Sequence, residues 1–409
     1  MLDEKEKLQK IIDLSTEIAQ VNDLDILLER ILSLARNFVN ADAGSIYIKE
    51  NGKLKFSYAQ NDTLSKKLPP GKKLIYTTFS LPIDNSTIAG YVANNDVTLN
   101  IPDVYQLKDD VPFHFGKKFD ELTGYRTCSM LTTPLKTSTG VIVGVLQMIN
   151  ARDSDNRVVP FSKDDEPLVN YFASNAAIAL ERAQMTRTII LRMISMAELR
   201  DPKETGAHVN RVASYSVEIF EHWAKKKGMS DEEINKKRDV LRMAAMLHDV
   251  GKVAISDVIL KKPARFTPEE YEIMKQHTFM GARLFSNPSS EFDIAAAEVA
   301  LNHHERWDGK GYPGHINVLT GKPLPEYQDE NGKPIGKKGN EIPLYGRIVA
   351  IADVYDALSS KRVYKEPWEQ SQVLKIIKEE KGKQFDPDLV DSFFNCLDVI
   401  QSITAKYPE

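Results

Sequence analysis

No glycine or proline occurs between Pro167 and Pro202, and through that stretch Leu168, Phe172, Ala176, Ala179, Ala183, Ile189, Ile190, Met193, Ile194 and Ala197 recur at helical spacing. The run predicts one helix of roughly 50 Å at 1.5 Å per residue. A rod of that length divides the 409-residue chain into two parts, so the molecule is expected to be multi-domain. Its apolar stripe has no obvious cover, which suits a paired helix in a homodimer. Packing along its own domain is the alternative.

Composition removes several classes. With 54 Lys+Arg against 58 Asp+Glu the net charge is −4, so a polycationic wrapper is excluded and no nucleic-acid polymer is expected as partner. The longest apolar run, Val141 to Ile149, is broken by Gly144 and Gln147 and is shorter than the roughly 18 residues of a membrane span. Met1 to Lys7 mixes acids with lysines instead of opening a signal core. Cys128 and Cys396 form neither a pair nor a metal spacing, so a cytoplasmic location without membrane contact is expected.

Before the long run, apolar positions from Leu8 to Val39 predict one or two amphipathic helices. The runs Ser45 to Lys49, Leu54 to Ala59 and Val141 to Asn150, with Asn51-Gly52 and Thr139-Gly140 as turn formers, predict an antiparallel sheet over 41–150. After Asp201-Pro202 the pattern is helical to the end, except over 309–346. That segment is rich in Gly, Pro, Lys and Asn and repeats a turn, Thr320-Gly321-Lys322-Pro323 and Asn331-Gly332-Lys333-Pro334. It reads as a long loop, either a lid or surface decoration.

The chemistry concentrates in histidines and carboxylates on this second half. Glu204 and His208 are one helical turn apart. His248-Asp249 closes the apolar run Leu241 to Leu247, His277 and His303-His304 follow, and Asp353 interrupts the apolar Ile348 to Ala352. An ionised carboxylate on such a stripe is costly to bury unless a cation or strong donors meet it. Plainer readings exist: Asp201 and Glu204 fit a capping box, and Asp353 suits pairing with an arginine. His114, His222 and His315 have no such neighbours and read as ordinary polar residues. Taken together, Glu204, His208, His248, Asp249, His277, His303, His304 and Asp353 offer more ligands than one four-coordinate ion uses, without a thiolate among them. They suit two or three Fe, Mn, Zn or Ni ions. Adjacent ions clamp the attacking and leaving oxygens of a phosphoryl transfer, so phosphoester hydrolysis is the expected chemistry.

The segments His248-Asp249-Val250-Gly251-Lys252, His277, His303-His304-Glu305-Arg306-Trp307-Asp308-Gly309-Lys310-Gly311-Tyr312-Pro313 and Asp353-Val354-Tyr355-Asp356-Ala357-Leu358 resemble the HD-GYP subfamily of HD-domain phosphohydrolases. The resemblance spans about 200–400. It implies an all-helical domain that hydrolyses cyclic di-GMP to pGpG and onward to GMP in some members. It also implies that His248, His277, His303, His304 and Asp353 ligate metal, that Asp249 bridges two ions, that Lys252 sits beside the scissile phosphate and that the stretch Glu204 to His208 supplies a further metal ligand. Glu204 resembles a third-metal ligand, so two to three ions are expected, iron or manganese first. Arg362 and Lys365 resemble substrate-holding positions, a solvated basic turn being the plainer reading. Gly311, Tyr312 and Pro313 name the subfamily and imply contact with a signalling-protein partner. The loop after Pro313 is longer than the minimal family pattern.

The N-terminal half resembles GAF sensor domains. Phe119 to Thr127 ahead of Met130-Leu131, then Asn150-Ala151-Arg152 with Phe161, Asp165 and Glu166, follow the pattern of GAF domains in cyclic nucleotide phosphodiesterases, with Ala151 where lysine is usual. That implies a small-molecule ligand of open identity, a purine or cyclic nucleotide being one option.

The expected architecture is an N-terminal helix over 1–20, an α+β GAF domain over 21–162 (antiparallel sheet with helices), a connecting signalling helix over 163–200, and an all-α HD-GYP domain over 201–405. The expected function is a metal-dependent cyclic di-GMP phosphodiesterase regulated by the GAF domain. Two rivals are a hydrolase of another cyclic dinucleotide such as 3′,3′-cGAMP, and a non-catalytic cyclic di-GMP receptor. Acyl or redox chemistry has no support: the chain has no serine elbow, no Cys-x-x-Cys and no dinucleotide glycine fingerprint.

Overall fold

The amphipathic pattern of Leu8 to Val39 becomes two helices in the computed structural model, which describes residues 4–69, 73, 74, 76, 79–198, 206–360 and 368–407. These are α1 (Glu4–Gln20) and α2 (Leu24–Phe38), separated where Asp23 caps α2 by accepting from Asp25 N and Ile26 N at 2.9 and 3.1 Å. Next come β1 (Ala41–Glu50), β2 (Lys53–Asn61), α3 (Asp62–Ser65), β3 (Ser80–Pro82), α4 (Ile88–Asn95), β4 (Leu99–Ile101), α5 (Lys118–Thr123), β5 (Met130–Lys136), β6 (Ile142–Arg152), β7 (Val158–Val159) and α6 (Glu166–Glu198). The strands form one antiparallel sheet in the order β3-β2-β1-β6-β5-β4, with β7 on the end of β6. Asn51 and Gly52, both at positive φ (50° and 74°), make the β1–β2 turn, the backbone a tight hairpin requires.

β5 has no counterpart among the alternating runs, because Pro134 interrupts it. Proline is tolerated there: β4 pairs only Met130 to Thr132, so at Pro134 the strand has a neighbour on one side alone. One face of the sheet packs Ile46, Ile48, Leu146 and Met148 in a core with Leu27, Ile31 and Leu32 of α2 and Phe172, Ala176 and Leu180 of α6.

The chain divides into two units, Met1–Arg187 and Thr188–Glu409, and the division falls within the 33-residue α6. The stripe expected to await a partner helix is instead covered by the chain itself. Phe172, Ala176, Ala179 and Ala183 belong to the core of the first unit, and Ile190 and Ile194 to that of the second. What α6 leaves exposed is mostly a different row, Tyr171, Ile178, Met185 and Met196, together with Ile189 of the expected stripe. Periodicity identified an amphipathic helix but could not say which surface would meet it.

The second unit is helical, as expected: α7 (Gly206–Lys226), α8 (Asp231–Met246), α9 (Asp257–Leu260), α10 (Pro268–Lys275), α11 (His277–Arg283), α12 (Glu291–Asn302), α13 (Leu344–Ser359), α14 (Gln370–Glu379), α15 (Pro387–Asn395) and α16 (Leu397–Lys406). Its core joins Val212, Ile219 and Phe220 of α7, Leu241 and Ala245 of α8, Val299 of α12, Ile348 and Ala352 of α13, and Phe393 of α15. The segment after α12 is an ordered excursion. Its two repeated turns place Gly321 and Gly332 at φ 71° and 73°, closed by Gly321 N donating to Asn317 O and Gly332 N to Asp329 O. Both of its ends meet one carboxylate: Glu305 accepts from Gly314 N (2.6 Å) and from Lys337 N (3.2 Å).

Candidate metal centre

Four helix ends and one mid-helix position bring the histidines and aspartates together. His208 lies in the first turn of α7, His248-Asp249 in the turn after α8, His277 at the start of α11, His303 just past α12, and Asp353 in α13. The two segments carrying Asp249 and His277 touch backbone to backbone. A Cβ on Gly251 would lie 1.9 Å from His277 O and 2.4 Å from Gly281 N, so only glycine permits the approach.

Two groups of convergent ligand atoms result, Asp249–His277–His303–His304 and His208–His248–Asp353, the atoms of each lying within 4.8 Å of one another. His248, His277 and His303 turn Nδ1 to backbone carbonyls of Ala245 (2.8 Å), Met274 (2.7 Å), and Val299 and Ala300 (3.1 Å each). A carbonyl only accepts, so in the neutral ring the proton sits on Nδ1 and the Nε2 lone pair faces the cluster. His277 Nε2 and His303 Nε2 are then 3.5 Å apart, with Asp249 Oδ1 at 3.0 and 3.4 Å from them and receiving no hydrogen bond. Lone pairs converging in a dry site repel unless a cation lies among them, so this donor set fits a metal ion.

Burial keeps His303 below its ordinary pKa and His304 well below, so both stay neutral and ligand-competent. Burial works against Asp249 ionising, yet the Lys252 ammonium beside it holds its carboxyl well below the usual range. Its other oxygen, Oδ2, lies 2.8 Å from Lys252 Nζ and 3.4 Å from His248 Nε2. Oδ1 therefore addresses one histidine group and Oδ2 the other, the geometry a bridging carboxylate has. Asp353 pairs with no arginine among the described residues; its Oδ1 lies 3.7 Å from His208 Nε2 and 3.9 Å from His248 Nε2.

Tyr312 places its ring 4.8 Å from that of His304, and Gly311 presses on Glu305 and Arg306, where a Cβ would fall 2.3 Å from Arg306 N. The Gly-Tyr-Pro loop is thus folded onto the histidine tandem. Pro313 follows Tyr312 in the same turn. Glu204, Arg362 and Lys365 lie outside the described residues. Neither group includes His114, His222 or His315; His315 stacks on Tyr327 at 3.8 Å instead. Asp356 belongs to the Asp353 motif without a role of its own there, and Arg211 lies outside every motif. The signal for both was available: His208 and Arg211 on α7, and Asp353 and Asp356 on α13, are each three apart and share a face.

A metal-competent cluster of buried histidines and aspartates on a helical scaffold, in a chain that also holds a sheet-based unit, defines the class, and two family models agree with it. The HD domain matches residues 205–358 and the GAF domain residues 23–180, so the chain carries a GAF domain followed by an HD domain, as its motifs implied. Curated relatives include a cyclic di-GMP phosphodiesterase of Thermotoga maritima, 41% identical over 218 residues (53% of this chain, 50% of the relative). Two from Vibrio cholerae are a 3′3′-cGAMP-specific phosphodiesterase 2, 33% identical over 255 residues (61% and 43%), and a cyclic di-GMP phosphodiesterase, 34% identical over 274 residues (64% and 51%). The chain spans about half the length of the curated relatives it matches.

Proposed function

We propose that this protein is a metal-dependent phosphodiesterase that hydrolyses cyclic di-GMP to linear pGpG, under control of a small-molecule ligand of the GAF domain. The observation that carries the reading is the convergence of His277 Nε2, His303 Nε2 and Asp249 Oδ1, with Nδ1 of both rings turned away to backbone carbonyls. His277, His303 and His304 would hold one ion and His208, His248 and Asp353 a second, with Asp249 shared between them. Glu204 adds a ligand for a third. The set is all imidazole and carboxylate, which suits iron or manganese. Such ions supply Lewis acidity and bring the pKa of water toward neutrality. Lys252, held 2.8 Å from Asp249 Oδ2, keeps an ammonium beside the scissile phosphate, where it stabilises developing charge. Arg362 and Lys365 hold the rest of the dinucleotide.

Among the described residues no helix is long and apolar enough to cross a membrane; the proposed enzyme is cytoplasmic and acts on a diffusible nucleotide. The exposed row Tyr171, Ile178, Met185 on α6, spaced by seven, supports a homodimer paired through that face. Tyr312 and Pro313 offer the loop for a signalling-protein partner. The boundaries of 21–162, 163–200 and 201–405 are proposed for the GAF domain, the signalling helix and the HD-GYP domain.

Because a relative is named for 3′3′-cGAMP, that nucleotide is the second reading. The test combines metal content, on protein purified under low oxygen without added metal, with turnover of both nucleotides. Two or three Fe or Mn per chain with linear product from cyclic di-GMP is the expected result. Faster turnover of 3′,3′-cGAMP would transfer the assignment to it. Metal-free protein that binds the nucleotide tightly would make the chain a receptor.

A further inference from the structure

We infer that Arg211 and Asp356 are positioning residues for His208, and that this pair sets the metal affinity of the His208–His248–Asp353 group. The inference rests on the metal reading above and adds to it how one ligand is aimed. Asp356 Oδ2 lies 2.8 Å from His208 Nδ1. Arg211 grips the same carboxylate with two hydrogen bonds, Nε to Oδ1 at 2.6 Å and Nη2 to Oδ2 at 2.9 Å, while its Nη1 donates to the carbonyl of Tyr407 at 3.0 Å. Both side chains are buried, at 2% and 1% exposure.

An ionised carboxylate accepts and cannot donate, so His208 carries its proton on Nδ1 and presents Nε2, 3.7 Å from Asp353 Oδ1. The two-point grip of the Arg211 guanidinium holds Asp356 as the carboxylate in this dry setting. The contrast with the other ligands gives the pair its meaning. His248, His277 and His303 are oriented by neutral backbone carbonyls, whereas His208 is oriented by a charge. A carboxylate partner raises the basicity of an imidazole and locks its ring, and loss of such a partner typically lowers metal affinity by about 10- to 100-fold. Arg211 is needed because Asp356 lies in a dry core and His208 satisfies only one side of it.

The test is the double variant Arg211→Leu/Asp356→Asn, which removes both charges at once, leaves no buried ion unpaired and keeps an oxygen for His208 Nδ1–H. Full-length manganese-loaded protein is titrated with a competing chelator and the metal retained per chain is measured. Thermal unfolding of the metal-free protein runs in parallel. The expected result is a metal-free Tm within about 5 °C of wild type and an affinity loss of about 10- to 100-fold for one ion alone. An unchanged chelator curve in the folded variant would overturn the inference, as would equal weakening of every ion. If the double variant does not fold, Arg211→Lys keeps the charge but not the two-point grip; a weakened single ion supports the pair and an unaltered curve overturns it. Wild-type protein that holds metal but turns over no nucleotide would defeat the substrate assignment and leave this inference standing.

Discussion

His277 Nε2 and His303 Nε2 face each other across 3.5 Å with both ring protons engaged on the far side of the rings. That relationship is unfavourable in an empty protein and favourable around a cation, so the fold holds its ligands in place at a cost that metal binding offsets.

Replacing His303 by alanine should therefore do two things together. At least one metal equivalent should disappear from elemental analysis, and hydrolysis of cyclic di-GMP should fall to background, while the helical circular dichroism is kept. A variant that retains both metal and turnover would remove His303 from the site.

Lys252→Met separates charge stabilisation from ligation. With metal content matched to wild type, kcat should fall by roughly 100-fold or more, the size of effect seen when one preorganised donor is removed from a transition state. A proportional loss of metal and rate would show instead that Lys252 acts by holding Asp249 in place.

Gly251→Ala should destabilise the HD unit by about 3 kcal/mol or more, because its new Cβ meets backbone rather than a side chain that can swing away. Gly116→Ala, where nothing lies within 4 Å, is the control and should change stability by less than about 0.5 kcal/mol. Denaturant unfolding of the two variants reads the difference directly.

Ile178→Glu and Met185→Glu test pairing through α6. Both residues are exposed in the single chain, so the monomer fold should be unaffected while sedimentation shifts from dimer to monomer. An unchanged dimer would place the contact elsewhere.

Part of the candidate site is legible because its members break a local rule. His248-Asp249 ends an apolar run and Asp353 sits inside one, and polar groups so placed need a partner. The pairing of Arg211 with Asp356 was harder to see, since its members lie far apart in sequence and only tertiary packing brings α7 against α13. In the sheet, β1, β2 and β6 announced themselves by alternation and by the Asn51-Gly52 turn, while Pro134 concealed β5. The spacing on α6 predicts an apolar stripe, but the surfaces that cover most of it come from α2, the sheet and the second unit's core, which no helical period can specify.

Glu305 fastens Gly314 and Lys337 at one point, and that has a consequence for how this chain tolerates change. Whatever length of chain runs between those two amides begins and ends at the same carboxylate, like a bag drawn shut by its string. Lengthening a closed loop costs only about 0.6 kcal/mol per doubling, so the turn at Asn331-Gly332, exposed and with nothing within 4 Å of where a Cβ on Gly332 would lie, is a port at which a peptide tag or reporter domain can be spliced in without the histidine tandem feeling it.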